Sequence, residues 1–101
     1  MQERRLAKLN EVIKEELAKI IAKEIDLPKG VLATIVGSTI DKNLIQAEIF
    51  VSVIPQQETE FVMNIFNSKA YFLHQLLNKK IKIRRIPKIK FLPESNLEMA
   101  R

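Results

Sequence analysis

Residues 47–55 read AEIFVSVIP. Ala47, Ile49, Val51 and Val53 fall on one side of an extended chain, and Glu48, Phe50, Ser52 and Ile54 on the other. That period of two marks a β-strand with one face turned to a core. Pro55 ends it, because proline has no N–H to give a ladder. Just upstream, VLATIVGSTI (Val31–Ile40) is rich in β-branched residues and is flanked by Gly30 and the polar turn Asp41-Lys42-Asn43. Two strands joined by a short polar turn read as an antiparallel hairpin.

Working outward to the N-terminus, Leu6, Leu9, Ile13, Leu17, Ile20, Ile21 and Glu24 recur at steps of three and four. The spacing predicts an amphipathic helix over about residues 4–25. Its other face carries Lys8, Glu11, Lys14, Glu15, Lys19 and Lys23, with Glu15 four residues before Lys19 in the favourable order. Pro28 and Gly30 stop it.

Working outward to the C-terminus, Thr59 reads as an N-cap and Glu60 suits the first turn of a helix. Val62, Ile65, Phe66, Leu73, Leu76 and Leu77 keep helical spacing to about Asn78, interrupted by the polar trio Asn67-Ser68-Lys69. A bend there gives two helices. Beyond them the period falls to two: Ile81 and Ile83 alternate with Lys82 and Arg84, then Ile89 and Phe91 with Lys88 and Lys90. Pro87 belongs at the start of the last strand. The order is α-β-β-α-α-β. A right-handed crossover lays the third strand parallel to the second. The expected fold is α+β, a three-stranded sheet with helices on one face.

The chain has 101 residues, 47% of them apolar, with two glycines, four prolines and no cysteine. This predicts one globular domain over residues 1–101, without disulfides or thiolate metal sites. No apolar signal region opens the chain and no apolar run approaches membrane-spanning length, so the expected location is the cytoplasm. The net charge of +5 is concentrated: residues 1–50 carry eight basic and eight acidic side chains, residues 51–101 nine and four. Within Asn78–Phe91, NKKIKIRRIPKIKF, seven of fourteen residues are basic and none acidic. A charge so localised points to a polyanionic partner; the plain alternative is a solvated face near the chain end. Isoleucines 81, 83, 86 and 89 would hold the strip against the body and leave its cations outside. The favoured phosphate contacts are Arg84, Arg85, Lys79, Lys80, Lys82, Lys88 and Lys90, with Arg4, Arg5, Lys8 and His74 as secondary candidates. Arg84 and Arg85 lead, since a guanidinium grips two oxygens at once.

Other chemistry has little to stand on. His74 is the only histidine and has no cysteine or second histidine to complete a metal site. Glu11, Glu15 and Glu16 lie among lysines on one helix and read as solvated pairs. Gly30 and Gly37 cannot build a phosphate loop. No nucleophile–base constellation supports a hydrolase or transferase. The expectation is a non-enzymatic protein without metal or cofactor. Phe50 reads as core, and Tyr71 stays open between core and base stacking.

Four blocks in register carry a family resemblance: KLNEVIKEEL (Lys8–Leu17), DLPKGVLATIVGSTID (Asp26–Asp41), AEIFVSVIP (Ala47–Pro55) and RRIPKIKFLPE (Arg84–Glu94). Over about residues 4–94 the chain resembles ribosome-binding factor A, a bacterial assembly factor of the small ribosomal subunit. The resemblance implies a type II KH-like fold. It also implies binding to the immature small (30S) subunit through 16S ribosomal RNA, and help with its late maturation and RNA processing, above all in the cold. Assembly GTPases are implied as possible partners, and a monomer as the working form. Three positions depart from the family pattern. Ala70-Tyr71 stands at a kink that usually holds glycine, His74 where an arginine is common, and Lys88 where an acid often follows the proline. Nothing here answers to the long C-terminal extension of some members. KH domains grip single strands with a G-x-x-G loop, and Asn67–Tyr71 has no glycine, so contact with folded RNA by charge and shape is expected instead. The rival reading is a basic module docking on an acidic protein or a membrane surface.

Overall fold

The computed structural model describes residues 3–82 and 85–99. Helix α1, Glu3–Glu24, forms on the apolar stripe expected of it. Ile13 and Leu17 are fully buried and Ile20 nearly so, while Leu6, Leu9 and Ile21 pack at the margin. Glu24, at the end of that stripe, is exposed. On the solvent face Lys14 pairs with Glu11 at 3.1 Å and Lys19 with Glu16 at 3.6 Å. Lys19 thus takes the acid three residues away in place of Glu15. Exposed pairs of this kind contribute little to stability.

Past α1 the Val31 N–H donates to the Pro28 carbonyl, closing a four-residue turn whose third residue, Gly30, has φ +86°. Only glycine takes that conformation freely. Strands β1, Leu32–Ile40, and β2, Gln46–Ile54, then pair antiparallel from Leu32↔Ile54 to Ile40↔Ala47. A bulge at Val36 separates the Ile35↔Val51 and Gly37↔Phe50 pairs. The extra residue shifts the phase, so Ala33 and Ile35 before it, and Ser38 and Ile40 after it, all face the helices. The joining loop is longer than the polar trio: Asp41 accepts from the Asn43 and Leu44 amides, and Leu44 has φ +57°.

After β2 a 3₁₀ turn, Gln56–Glu58, leads straight into α2, Thr59–Ser68. This corrects the expected cap. Glu58 precedes the helix, and the Thr59 hydroxyl donates backwards to the Gln56 carbonyl at 2.6 Å. The bend at the polar trio is present as one residue, Lys69, with φ −103° and ψ 5° between α2 and α3, Ala70–Lys80. Its amide still reaches the Ile65 and Phe66 carbonyls, both at 3.2 Å. A negative φ is open to any L-residue, so the bend needs no glycine.

Strand β3, Lys88–Pro93, adds parallel to β2 on the edge away from β1, from Gln46↔Lys88 to Val51↔Pro93. Pro87 stands just before it, as expected. The result is α+β in the type II KH-like order: a mixed three-stranded sheet with α1, α2 and α3 over one face. The core lies in that layer, where Ile49, Val51, Leu17, Val62, Phe66, Leu73, Leu77 and Phe91 are buried and Phe66 meets Phe91 edge-on, 5.2 Å between centroids. The sequence reading omits a fourth helix, α4, Ser95–Met99. Leu97 in it lies over Gly37 and beside Phe50 on the opposite face of the sheet, and Phe50 is fully buried there.

Leu17 and Leu32 separate the two faces by experiment. Leu17→Ala leaves a cavity in the helical layer and should cost about 2–5 kcal/mol. Leu32 is 66% exposed on the open face, and Leu32→Ala should cost under about 0.5 kcal/mol. Urea unfolding followed by circular dichroism reads both; equal costs would mean the faces are assigned wrongly.

Candidate nucleic-acid interface

No Asp or Glu stands between Glu60 and Glu94, and this uninterrupted segment builds α2, α3, the connection to β3 and β3 itself. The basic residues therefore sit on three kinds of backbone. Lys79 and Lys80 are exposed in the last turn of α3, where the helix dipole favours cations. Lys82 and Arg85 are exposed on the connection, and Lys88 and Lys90 on β3. This corrects the reading of a helix to about Asn78 with a period of two from Ile81: helical pairing runs on to Ile81, whose amide donates to the Leu77 carbonyl, and strand pairing begins only at Lys88. Arg84 and Ile83 lie outside the described residues.

The isoleucine anchors hold where they are described. Ile81, Ile86 and Ile89 are buried, as is Pro87. Two polar side chains fix the segment further by binding the free edge of β3 and its approach. The Nε2 atom of His74 meets the Ile86 carbonyl at 3.0 Å. A carbonyl only accepts, so this nitrogen carries the proton. Asn67 makes two bonds to Phe91: its Oδ1 accepts from the Phe91 N–H at 2.9 Å, and its Nδ2 donates to the Phe91 carbonyl at 3.0 Å. His74, expected as a possible RNA contact, is thus half-buried and engaged with its own backbone.

The cations are not equivalent. Lys90 stands across the ladder from Glu48, whose carboxylate accepts from the Thr39 hydroxyl at 3.4 Å. Arg4, Arg5 and Lys8 are exposed on the first turns of α1. The Ser38 hydroxyl donates to Asn10 Oδ1 at 2.6 Å, and Ser38 lies in the cross-strand row Ser38–Ile49–Phe91. That contact holds the Asn10 turn of α1 over the middle of the sheet.

One feature escapes sequence reading. Ala70, Tyr71, His74, Lys88 and Ile89 line a cleft of about 350 Å3 between α3 and the edge of β3. Tyr71 is 74% exposed beside it, so the open question over this ring is decided against the core. Its only advance signal is its place after the polar trio, off the apolar stripe. A larger hollow, about 860 Å3, lies between the end of β2 and α4 and is lined in part by Ile54, Glu94 and Leu97. Among the described residues no three His, Cys, Asp or Glu side chains could together hold a metal ion, and no helix is long and apolar enough to cross a membrane.

Comparison with known proteins follows the same segment and extends beyond it. A family model described as "Ribosome-binding factor A" matches residues 5–101. The ribosome-binding factor A of Pseudomonas paraeruginosa is 33% identical over 90 residues, covering 86% of this chain and 70% of that protein. The crystal structure of ribosome-binding factor A from Thermus thermophilus superposes with a TM-score of 0.78 at 22% identity, over 89% of this chain and 96% of that one. A Thermus thermophilus homology model fitted into a cryo-electron microscopy map of a 30S–RbfA complex gives 0.73, also at 22% identity, over 84% and 90%.

Asn67→Ala should show what the edge contact is worth. It leaves the Phe91 amide and carbonyl without their side-chain partner, a loss of about 1–3 kcal/mol. Hydrogen exchange at the Phe91 amide should speed up before global unfolding does. An unchanged exchange rate would remove Asn67 from the account of how β3 is held.

Proposed function

This chain belongs to the ribosome-binding factor A family, and from that footing we propose that it is a non-enzymatic assembly factor that binds the immature small ribosomal subunit through 16S ribosomal RNA. The observation that carries the reading is the acid-free segment after Glu60, with Lys79, Lys80, Lys82, Arg85 and Lys88 exposed and Ile81, Ile86 and Ile89 buried. The relative seen in a 30S complex, built on the same fold, supports it. Phosphate oxygens take the lysines and arginines, with Arg84 and Arg85 in the leading role. Arg4, Arg5, Lys8 and His74 contribute less.

The finer parts of the proposal follow the family. The protein assists late maturation and processing of the small-subunit RNA, matters most in the cold, works in the cytoplasm as a monomer, and leaves with the help of assembly GTPases. It uses no cofactor. Residues 1–101 act as one KH-like ribosome-binding domain. A basic module for acidic proteins or membranes remains the outcome to be excluded by experiment.

Sedimentation of lysate on a gradient tests the assignment first: the protein should travel with free small subunits and not with complete ribosomes. Changing Arg84 and Arg85 together to Gln should then weaken binding to isolated small subunits about tenfold or more at physiological salt. The salt dependence should become shallower by about two phosphates' worth, roughly 0.9 log units per log unit each. Thermal stability should hold, since surface charges contribute little to folding. Excess small-subunit RNA should displace the protein, and an acidic polypeptide of equal charge should not. Equal competition by the polypeptide would sink the RNA assignment.

A further inference from the structure

β2 outruns the strand beside it. β3 pairs with it only as far as Val51↔Pro93, and the last bond of the ladder runs from the Glu94 N–H to the Val51 carbonyl at 2.8 Å. The chain then turns into α4 at Ser95. β2 continues to Ile54, held on its other edge by β1 through Leu32↔Ile54. Alternate residues of a strand turn their N–H and carbonyl to the same neighbour, so Val53, two on from Val51, faces the side that β3 has left. Among the described residues nothing meets its N–H or its carbonyl there. The hollow of about 860 Å3 lies against this edge. Val51 and Val53 line it although their side chains are buried under the helices, so what they present to it is backbone. A donor and an acceptor of the sheet thus stand open beside a space that a chain could enter.

The surroundings say what kind of chain. Ile54 on the rim is 62% exposed and its partner Leu32 66%, an apolar pair at the end of the open face. Leu97 lines the hollow from α4. Charge here has one sign. The four acids of residues 51–101 are Glu58, Glu60, Glu94 and Glu98. They belong to the 3₁₀ turn, the first turn of α2, the residue just past β3, and α4. Each of those segments also gives the hollow a residue: Gln56, Thr59, Glu94 and Leu97. No lysine or arginine occurs in residues 51–68 or 91–100. The basic connection meets the opposite end of the same ladder, where Lys88 pairs with Gln46.

We propose that this edge takes an extended, lysine- or arginine-rich segment of a partner protein, added as a short strand beside Val53. Its apolar side chains lie on Ile54 and Leu97, and its cations face Glu58 and Glu94. The site is separate from the RNA surface and does not depend on it. An extended segment satisfies the open backbone donor and acceptor and sends alternate side chains to opposite sides, so main chain gives affinity and side chains give selectivity. Charge complementarity selects the occupant: the carboxylates that attract a basic segment repel a nucleic acid or an acidic tail. β3 cannot fill the place itself, because its chain leaves for α4 one residue after its last bond to β2.

Amide hydrogen exchange and NMR titration of the full chain test it. Without any peptide, the Val53 amide should exchange faster than that of Val51, which lies inside the ladder. Three peptides of about twelve residues are then added. One alternates lysine with valine or threonine, one has glutamate in place of lysine, and one is the lysine peptide with every backbone nitrogen methylated. The lysine peptide should shift the Val53 and Glu94 amide resonances and slow exchange at Val53 about fivefold or more. The other two should do neither. Glu58→Gln and Glu94→Gln together should weaken the lysine peptide about threefold or more. Glu24→Gln, which removes an exposed acid at the end of α1 away from the hollow, should leave it unchanged. Circular dichroism on each variant confirms folding. A slowly exchanging Val53 in the free protein, an equal response to the glutamate peptide, or binding of the methylated peptide would each overturn the proposal. Sedimentation of the protein alone covers the remaining occupant: self-association that the double variant abolishes would give the edge to a second copy and overturn it as well.

Discussion

Strand β2 has a neighbour on each edge and a covered side chain on each face, and the rest of the molecule is built from that position. Its odd residues, Ala47, Ile49, Val51 and Val53, are buried under the helices, and Phe50 on the other face is buried beside Leu97. β1 pairs one edge antiparallel and β3 the other in parallel. A slip of one residue between β2 and β3 would turn Ile89 and Phe91 out and bring Lys88 and Lys90 in, at the cost of burying unpaired charge. The same alternation that makes the core therefore fixes which way the basic strip faces. The β3 part of the proposed interface, Lys88 and Lys90, therefore shares its register with the core.

That register is secured on the outer edge by side chains and not by a further strand. Parallel pairing covers one side of β3 only, and an open edge is a template for unwanted association. Asn67 occupies it at Phe91 and His74 binds just upstream at Ile86. Both come from the two halves of the bent helix pair, Asn67 near the end of α2 and His74 one turn into α3. The bend at Lys69 is thus a means of delivering two polar side chains to one strand edge. A straight helix through the same residues would carry them on a single axis. The small polar residues at the bend, which interrupt the apolar stripe, make sense in those terms.

Local pattern was enough to read α1, the alternation of β2, the break before Ala70 and the start of β3 at Pro87, because each is written in neighbouring residues. Where the reading fell short, a distant partner decides. The bulge at Val36 lets Ser38 reach Asn10 across 28 residues, and nothing in VLATIVGSTI announces the change of phase. Thr59 lost its expected capping role because the 3₁₀ turn before it had already begun the helical path. Helix α4 is five residues long, too short to show a period, and its place depends on Leu97 finding the space over Gly37. Of the site, the basic residues were legible as composition, but their division among helix end, connection and strand was not. The placing of Lys90 opposite Glu48 was equally hidden, since the two are neighbours only across the ladder.

The division of the strip also bears on the RNA contact proposed above. Cations spread over three pieces of backbone at different angles cannot all track one phosphate strand. They can match a folded RNA whose phosphates approach from several directions, so shape enters through the geometry of the protein's own chain. Charge alone supplies affinity that decays with salt and discriminates little among polyanions.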